Sequence, residues 1–220
     1  MIPFQHHMRL HLIKSFLILS LTLVAINSCK GQHSNIPPKE CIALNDMGLK
    51  LLMNYPMNGE RELNTAIDLF KQAIKCDSTD WIFYINLANA YDKKHNYNGE
   101  MAALNKVLTL TKNDPAILLQ IGMLYEVKGR VDSAKNMYQL TEVEYEKRLA
   151  KNPKDVNLIK GNILLKGVTD GKDEAIKALN EQIKIHPELS SQLSGELLFY
   201  KYFNRHDFVF RLPTVTDLSK

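Results

Sequence analysis

Three cysteines, seven histidines and one tryptophan in 220 residues leave little material for several kinds of chemistry. Neither a CxxC nor an HExxH occurs, so the usual thiolate and zincin-type zinc sites are not written in the chain. Only His33, His95, His186 and His206 lie beyond residue 28, and no two sit at a metal-ligand spacing. Gly167-Val168-Thr169-Asp170-Gly171-Lys172 is one residue too short between its glycines for a phosphate loop. It also has Asp173 where a Ser or Thr would bind magnesium, so it reads as a turn between helices. The segment from Asp92 to Glu100 has too few acids for a calcium loop. No nucleophile and base share a recognisable motif. The chain therefore reads as a non-enzyme with no cofactor and no metal.

Charge of one sign is also lacking. The 28 basic and 24 acidic residues leave a formal +4, with the signs interleaved. No Lys/Arg run reaches the density of a nucleic-acid patch, so nucleic acid is excluded as a partner. Alternating β pattern is absent too, except over Phe208-Val209-Phe210. The one long apolar run is Phe16 to Ile26, eleven residues. As a helix it would rise about 16 Å, short of a bilayer core of about 30 Å.

That run is preceded by Arg9 and Lys14 with no acid, and followed by Asn27-Ser28-Cys29. A basic region, a short apolar region and a small residue at the break make a secretory signal peptide. An uncleaved anchor would have to bury His11 and Lys14 in the bilayer, at high cost. With Ile26 at −3, Ser28 at −1 and Cys29 at +1, the segment resembles the bacterial lipobox. It departs from that pattern at Asn27, where Ala, Ser or Thr is commoner. The resemblance implies that residues 1–28 are removed and that Cys29 is lipidated and becomes the mature N-terminus. Met8 to Cys29 makes a more usual leader than Met1 to Cys29, so both starts stand open. Without Arg9 and Lys14 the balance is 26 against 24, about +2. Residues 29–39 include the polar Gly31–Lys39 stretch with Pro37-Pro38, a short extended tether. Lys30 follows Cys29, and no dense acidic run follows it. This points to an outer-membrane anchor facing the periplasm.

From residue 40 the apolar residues recur at three and four, the helical period. Leu87-Ala88-Asn89-Ala90-Tyr91 falls on Ile121-Gly122-Met123-Leu124-Tyr125 at a shift of 34. The same shift carries Leu104 onto Tyr138 and, backwards, onto Phe70. This period and its large–small–aromatic spacing resemble the tetratricopeptide repeat, over about 42–187. Helix A slots hold Tyr84, Leu87, Ala88 and Tyr91, then Leu118, Ile121, Gly122 and Tyr125. Helix B slots hold Ala66, Phe70 and Ala73, then Ala134 and Tyr138. In the first repeat Leu44, Met47, Gly48 and Leu51 fit helix A, and Met53–Gly59 lengthens the turn that follows. Small residues in such pairs let antiparallel helices approach closely.

The resemblance implies an all-α fold, a solenoid of αα-hairpins forming a right-handed superhelix. Its repeats would run over about 41–76, 81–112, 115–151 and 155–187, with a capping helix at 188–203, so the domain spans 40–203. In the fourth repeat helix A lacks the Leu–Gly–Tyr signature, and the tail 204–220 is unassigned. Asn64, Asp80, Asp114 and Asp132 are expected caps, and Pro115 a first helical residue. Asn98-Gly99 and Lys128-Gly129-Arg130 are expected A–B turns.

Cys41 and Cys76 fall at neighbouring ends of the first hairpin, which allows a disulfide in an oxidising compartment. They read equally as two small buried apolar residues. By resemblance, the helix A face that would bind a partner carries Ile82, Ile85, Asn89 and Asp92, then Ala116, Leu119, Met123 and Glu126. Ile82, Ile85 and Leu119 also read as residues that simply pack against neighbouring helices, as does Trp81. Ile85 stands where carboxylate-clamping repeats carry lysine, so that binding mode is not implied. A mixed apolar groove with acids at one rim suits a peptide or helix. Together these features resemble tetratricopeptide-repeat lipoproteins of Gram-negative, Bacteroidetes-like bacteria. They imply an envelope scaffold or adaptor that binds protein and takes no small-molecule cofactor. The alternative is a substrate-binding lipoprotein of an outer-membrane nutrient-uptake system.

Overall fold

The computed structural model describes residues 38–210, the side chains of 56–58 excepted. The leader, Cys29, most of the tether and residues 211–220 lie outside the described residues. Among the described residues every regular element is helical. Four long hairpins follow one another: α1 (Lys39–Asn58) with α2 (Glu60–Cys76), α3 (Trp81–Lys93) with α4 (Tyr97–Thr111), α5 (Pro115–Val127) with α6 (Val131–Leu149), and α7 (Val156–Thr169) with α8 (Lys172–Ile185). A 3-10 turn at Pro187–Leu189 leads to three short helices, α9 (Ser190–Leu193), α10 (Gly195–Lys201) and α11 (Arg205–Phe210). The chain forms two compact units, divided after Ile117 within α5.

Helix starts follow from side chains that satisfy otherwise unpaired N–H groups. Asp80 accepts from the Ile82 N–H at 2.9 Å, and Asp114 from the Ala116 N–H at 2.9 Å. Asn64 and Asp132 are not caps. Asn64 lies inside α2, which starts at Glu60 after Gly59, and Asp132 is the second residue of α6. Asn96 caps α4, and Asp155 caps α7 through the N–H groups of Asn157 and Leu158. Because Asn96 caps the Gly99 N–H, Asn98 and Gly99 belong to the first turn of α4, and the reversal falls at 94–96.

The long first spacing is also helix rather than turn. α1 stays helical to Asn58, and Gly59 alone reverses the chain at φ 84°, a backbone only glycine adopts cheaply. At the other end, the expected cap at 188–203 breaks into short pieces around Pro187 and Ser194-Gly195, all poor helix-interior residues. Phe208-Val209-Phe210 is helical rather than extended, because Asn204 caps α11 through the N–H groups of His206 and Asp207.

In the unit that ends at Ile117, α1 lies so close to α2 that a Cβ on Gly48 would fall 2.6 Å from the Phe70 ring. Phe70, Ala66 and Ala73 are fully buried, and the side chain of Asn86 donates to Asn45 at 2.7 Å in the interior. Met47 does not share this core. It is 57% exposed, because Leu44, Asn45 and Gly48 turn inward instead. Cys41 and Cys76 are joined by a disulfide, Cα to Cα 5.6 Å, with Cys41 packed on Ala73 and Phe83.

In the unit that starts at Leu118, α6 is gripped on two sides. Tyr138 covers Gly122 of α5, where a Cβ would meet its ring at 2.6 Å. Tyr145 covers Gly161 of α7, where a Cβ would meet its Cζ at 2.6 Å. Gly161 is thus the small residue of the fourth helix A, which the sequence reading had lacking its signature. Leu158, Ile163, Leu164, Val168 and Leu179 fill the same core.

Candidate protein-binding face

On α3, Ile82, Asn89 and Asp92 are half-buried and spaced so that they share one side of the helix. Ile85 takes the packing alternative. It is only 3% exposed and belongs to the core, as does Trp81. The repeat-packing positions of this helix behave as interior groups: Leu87 and Ala88 are buried, while Tyr84 and Tyr91 are half-buried. Tyr91 lies over Gly99 of α4, where a Cβ would meet its ring at 2.8 Å. Burial, then the nearby Asp77 carboxylate, raises the Tyr84 phenol, which donates to the Ser78 carbonyl.

On α5, Leu119 takes the packing alternative, and Met123 lies inside rather than on the face. Both are buried in a core shared with Tyr138, Ile163, Leu164 and Val168, and Ala116 is buried as well. An apolar residue at a helix A position serves a core or a surface equally well, and here packing has taken it. Tyr125 is half-buried, with the Arg130 guanidinium 4.8 Å above its ring. Ala134 is buried on α6.

Glu126 alone of the expected α5 set keeps a polar role. Its Oε2 accepts from the Tyr138 hydroxyl at 2.8 Å and from Arg205 Nη2 at 2.8 Å. Arg205 Nε also donates to the Val168 carbonyl at the end of α7. Burial by itself raises the Glu126 carboxyl. The bonds from Arg205 and Tyr138, with the Arg205 and His206 charges, outweigh it and hold the group below its ordinary value. Burial and the adjoining carboxylate drive the Tyr138 phenol far upward, so it stays a donor. Arg205 escaped the sequence reading because its partner is 79 residues away.

Chemically this arrangement can recognise a cation and an apolar side chain. A small surface cleft between α7 and α8 also mixes apolar Ile163 and Ala178 with Lys166 and Glu181. Among the described residues no three His, Cys, Asp or Glu side chains lie close enough to hold a metal ion. Among them, too, no helix is long and apolar enough to cross a membrane.

Residues 69–101 match the tetratricopeptide repeat family. The matched stretch runs from the second half of α2 through α3 into α4, and so includes Asp80, Tyr84, Leu87, Ala88 and Tyr91. No curated protein matches the chain. Among solved structures, one of MamA is 19% identical, covering 70% of this chain and 82% of that one, with a TM-score of 0.43. A second, of MamA protein, is 20% identical, covering 69% and 75%, with a TM-score of 0.41.

Proposed function

We propose that this protein is a lipid-anchored interaction scaffold of a bacterial cell envelope. Cys29 carries the acyl chains, residues 29–39 form the tether, and the helical hairpins of 40–203 hold a protein or peptide partner. The observation that carries the reading is the hairpin stack itself, with its tetratricopeptide match at 69–101. Repeated hairpins present side chains from successive first helices, a surface made for contact rather than for bond-breaking. The Cys41–Cys76 bridge supports export, since such bonds persist in oxidising compartments. Two or three acyl chains would anchor firmly, each buried methylene adding about 0.8 kcal/mol. We place the anchor in the outer membrane, facing the periplasm.

The test is a crosslinked pull-down from native envelopes, comparing the natural chain with Cys29→Ala. A defined membrane complex that co-purifies with the natural chain and is lost with the variant is the expected result. A natural chain that fractionates as soluble, with no partner, would overturn both the anchor and the scaffold.

A further inference from the structure

The last described helices double back on their own unit. α10 packs on α8 and closes the stack there. After Tyr202–Asn204 the chain turns, α11 packs on α7, and Arg205 reaches Glu126 on α5. α5 and α7 are the first helices of successive hairpins. Glu126 and Val168 each lie one residue from the C-terminal end of their helix, so the segment that touches both meets the edge where α5 and α7 end. Its seat has a polar and an apolar half. The polar half is the Glu126 carboxylate, steadied by the Tyr138 hydroxyl, with the Val168 carbonyl beside it. In the apolar half Val209 is fully buried, and the Phe203 and Phe208 rings pack tilted against each other with centroids 5.2 Å apart.

We propose that Asn204–Phe210 is an internal stand-in for the partner, seated on a receptor for a short helix that carries an arginine followed four residues later by an aliphatic side chain. Arginine fits because two of its N–H groups are used at once, one on a carboxylate and one on a backbone carbonyl. The segment is built to be exchangeable. α11 has six residues, too few to hold a helix unaided, and the Arg205 side chain keeps 37% of its surface exposed. A partner helix with the same arginine and aliphatic pair would displace it, so binding and the release of α11 are coupled. This inference rests on the protein-binding reading.

The test uses the full chain and a labelled peptide of residues 203–210. Binding is measured to the natural protein, to Arg205→Ala, and to Arg205→Ala with Glu126→Gln. Arg205→Ala should bind the peptide about tenfold more tightly than the natural chain, and the added Glu126→Gln should abolish that gain. Limited proteolysis should cut Arg205→Ala near residue 204 sooner than the natural chain. A peptide with alanine at the arginine position should bind neither protein. If the freed segment is cut readily yet the peptide binds no better, or if Arg205→Ala stays fully protected, α11 is a fixed cap and the inference falls. The envelope crosslinks would survive that failure, so the scaffold reading is judged separately.

Discussion

The two helical units close their ends by different means. In residues 38–117, Cys41 at the start of α1 is bonded to Cys76 at the end of α2, a covalent clasp that closes 35 residues of sequence. In residues 118–210 there is no such clasp. The chain after the last hairpin is held by aromatic side chains, with Phe199 and Phe203 in contact with each other and each with Tyr200 and Phe208, and by the bond from Arg205 to Glu126 on α5. A disulfide holds an end permanently and raises the free energy of the unfolded chain by shortening it. Side-chain packing holds an end reversibly.

The largest effect should come from opening the clasp. Cys76→Ser, chosen because Cys76 lies on the exposed side of the bridge, should cost about 2–4 kcal/mol, read from urea unfolding of the 38–117 unit. Equal loss in both units would show that the clasp is not local. Next come the glycine seats of the second unit. Gly122→Leu and Gly161→Leu each force a side chain into a tyrosine ring and should cost about 1–3 kcal/mol by thermal melting. An unchanged melt for Gly122→Leu would contradict the repeat register.

Smaller again is the Glu126 contribution. Its carboxyl sits below its ordinary value of 4.5 when folded, so the unfolded chain binds more protons at low pH. The stability it gives is present above about pH 4.5 and is lost as the pH falls through the lower folded value. Glu126→Gln should remove about 1 kcal/mol at pH 7 and flatten this acid-side loss, followed by circular dichroism from pH 7 to 3. The smallest effect belongs to exposed ion pairs. Lys71→Ala, which removes the 3.9 Å contact with Asp68, should leave the melting midpoint unchanged at low and at high salt alike.

The repeat could be read from the sequence wherever packing demanded a particular shape. Asp80, Ala88, Gly122 and Tyr138 are needed at their positions, because a cap must accept and a close approach must be small. Gly161 is needed equally but was hidden by spacing. α6 has 19 residues where α4 has 15, so the fourth helix A arrives later than a 34-residue period expects. The binding face was less legible. Ile85, Leu119 and Met123 are apolar residues whose fate depends on what packs over them, which a periodic pattern does not record. Arg205 was invisible for a different reason. A single arginine in a short mixed tail acquires meaning only when the chain's return to Glu126 is known.

The central claim is that the first helices of these hairpins present a protein-binding face. The most direct measurement places a photo-crosslinking residue at Ile82 or Asn89 on α3, and at Lys135 on α6 as control, in the full-length chain within native envelopes. The account predicts a defined protein adduct from Ile82 or Asn89 and none from Lys135. Adducts from Lys135 alone, or equally from all three positions, would contradict it.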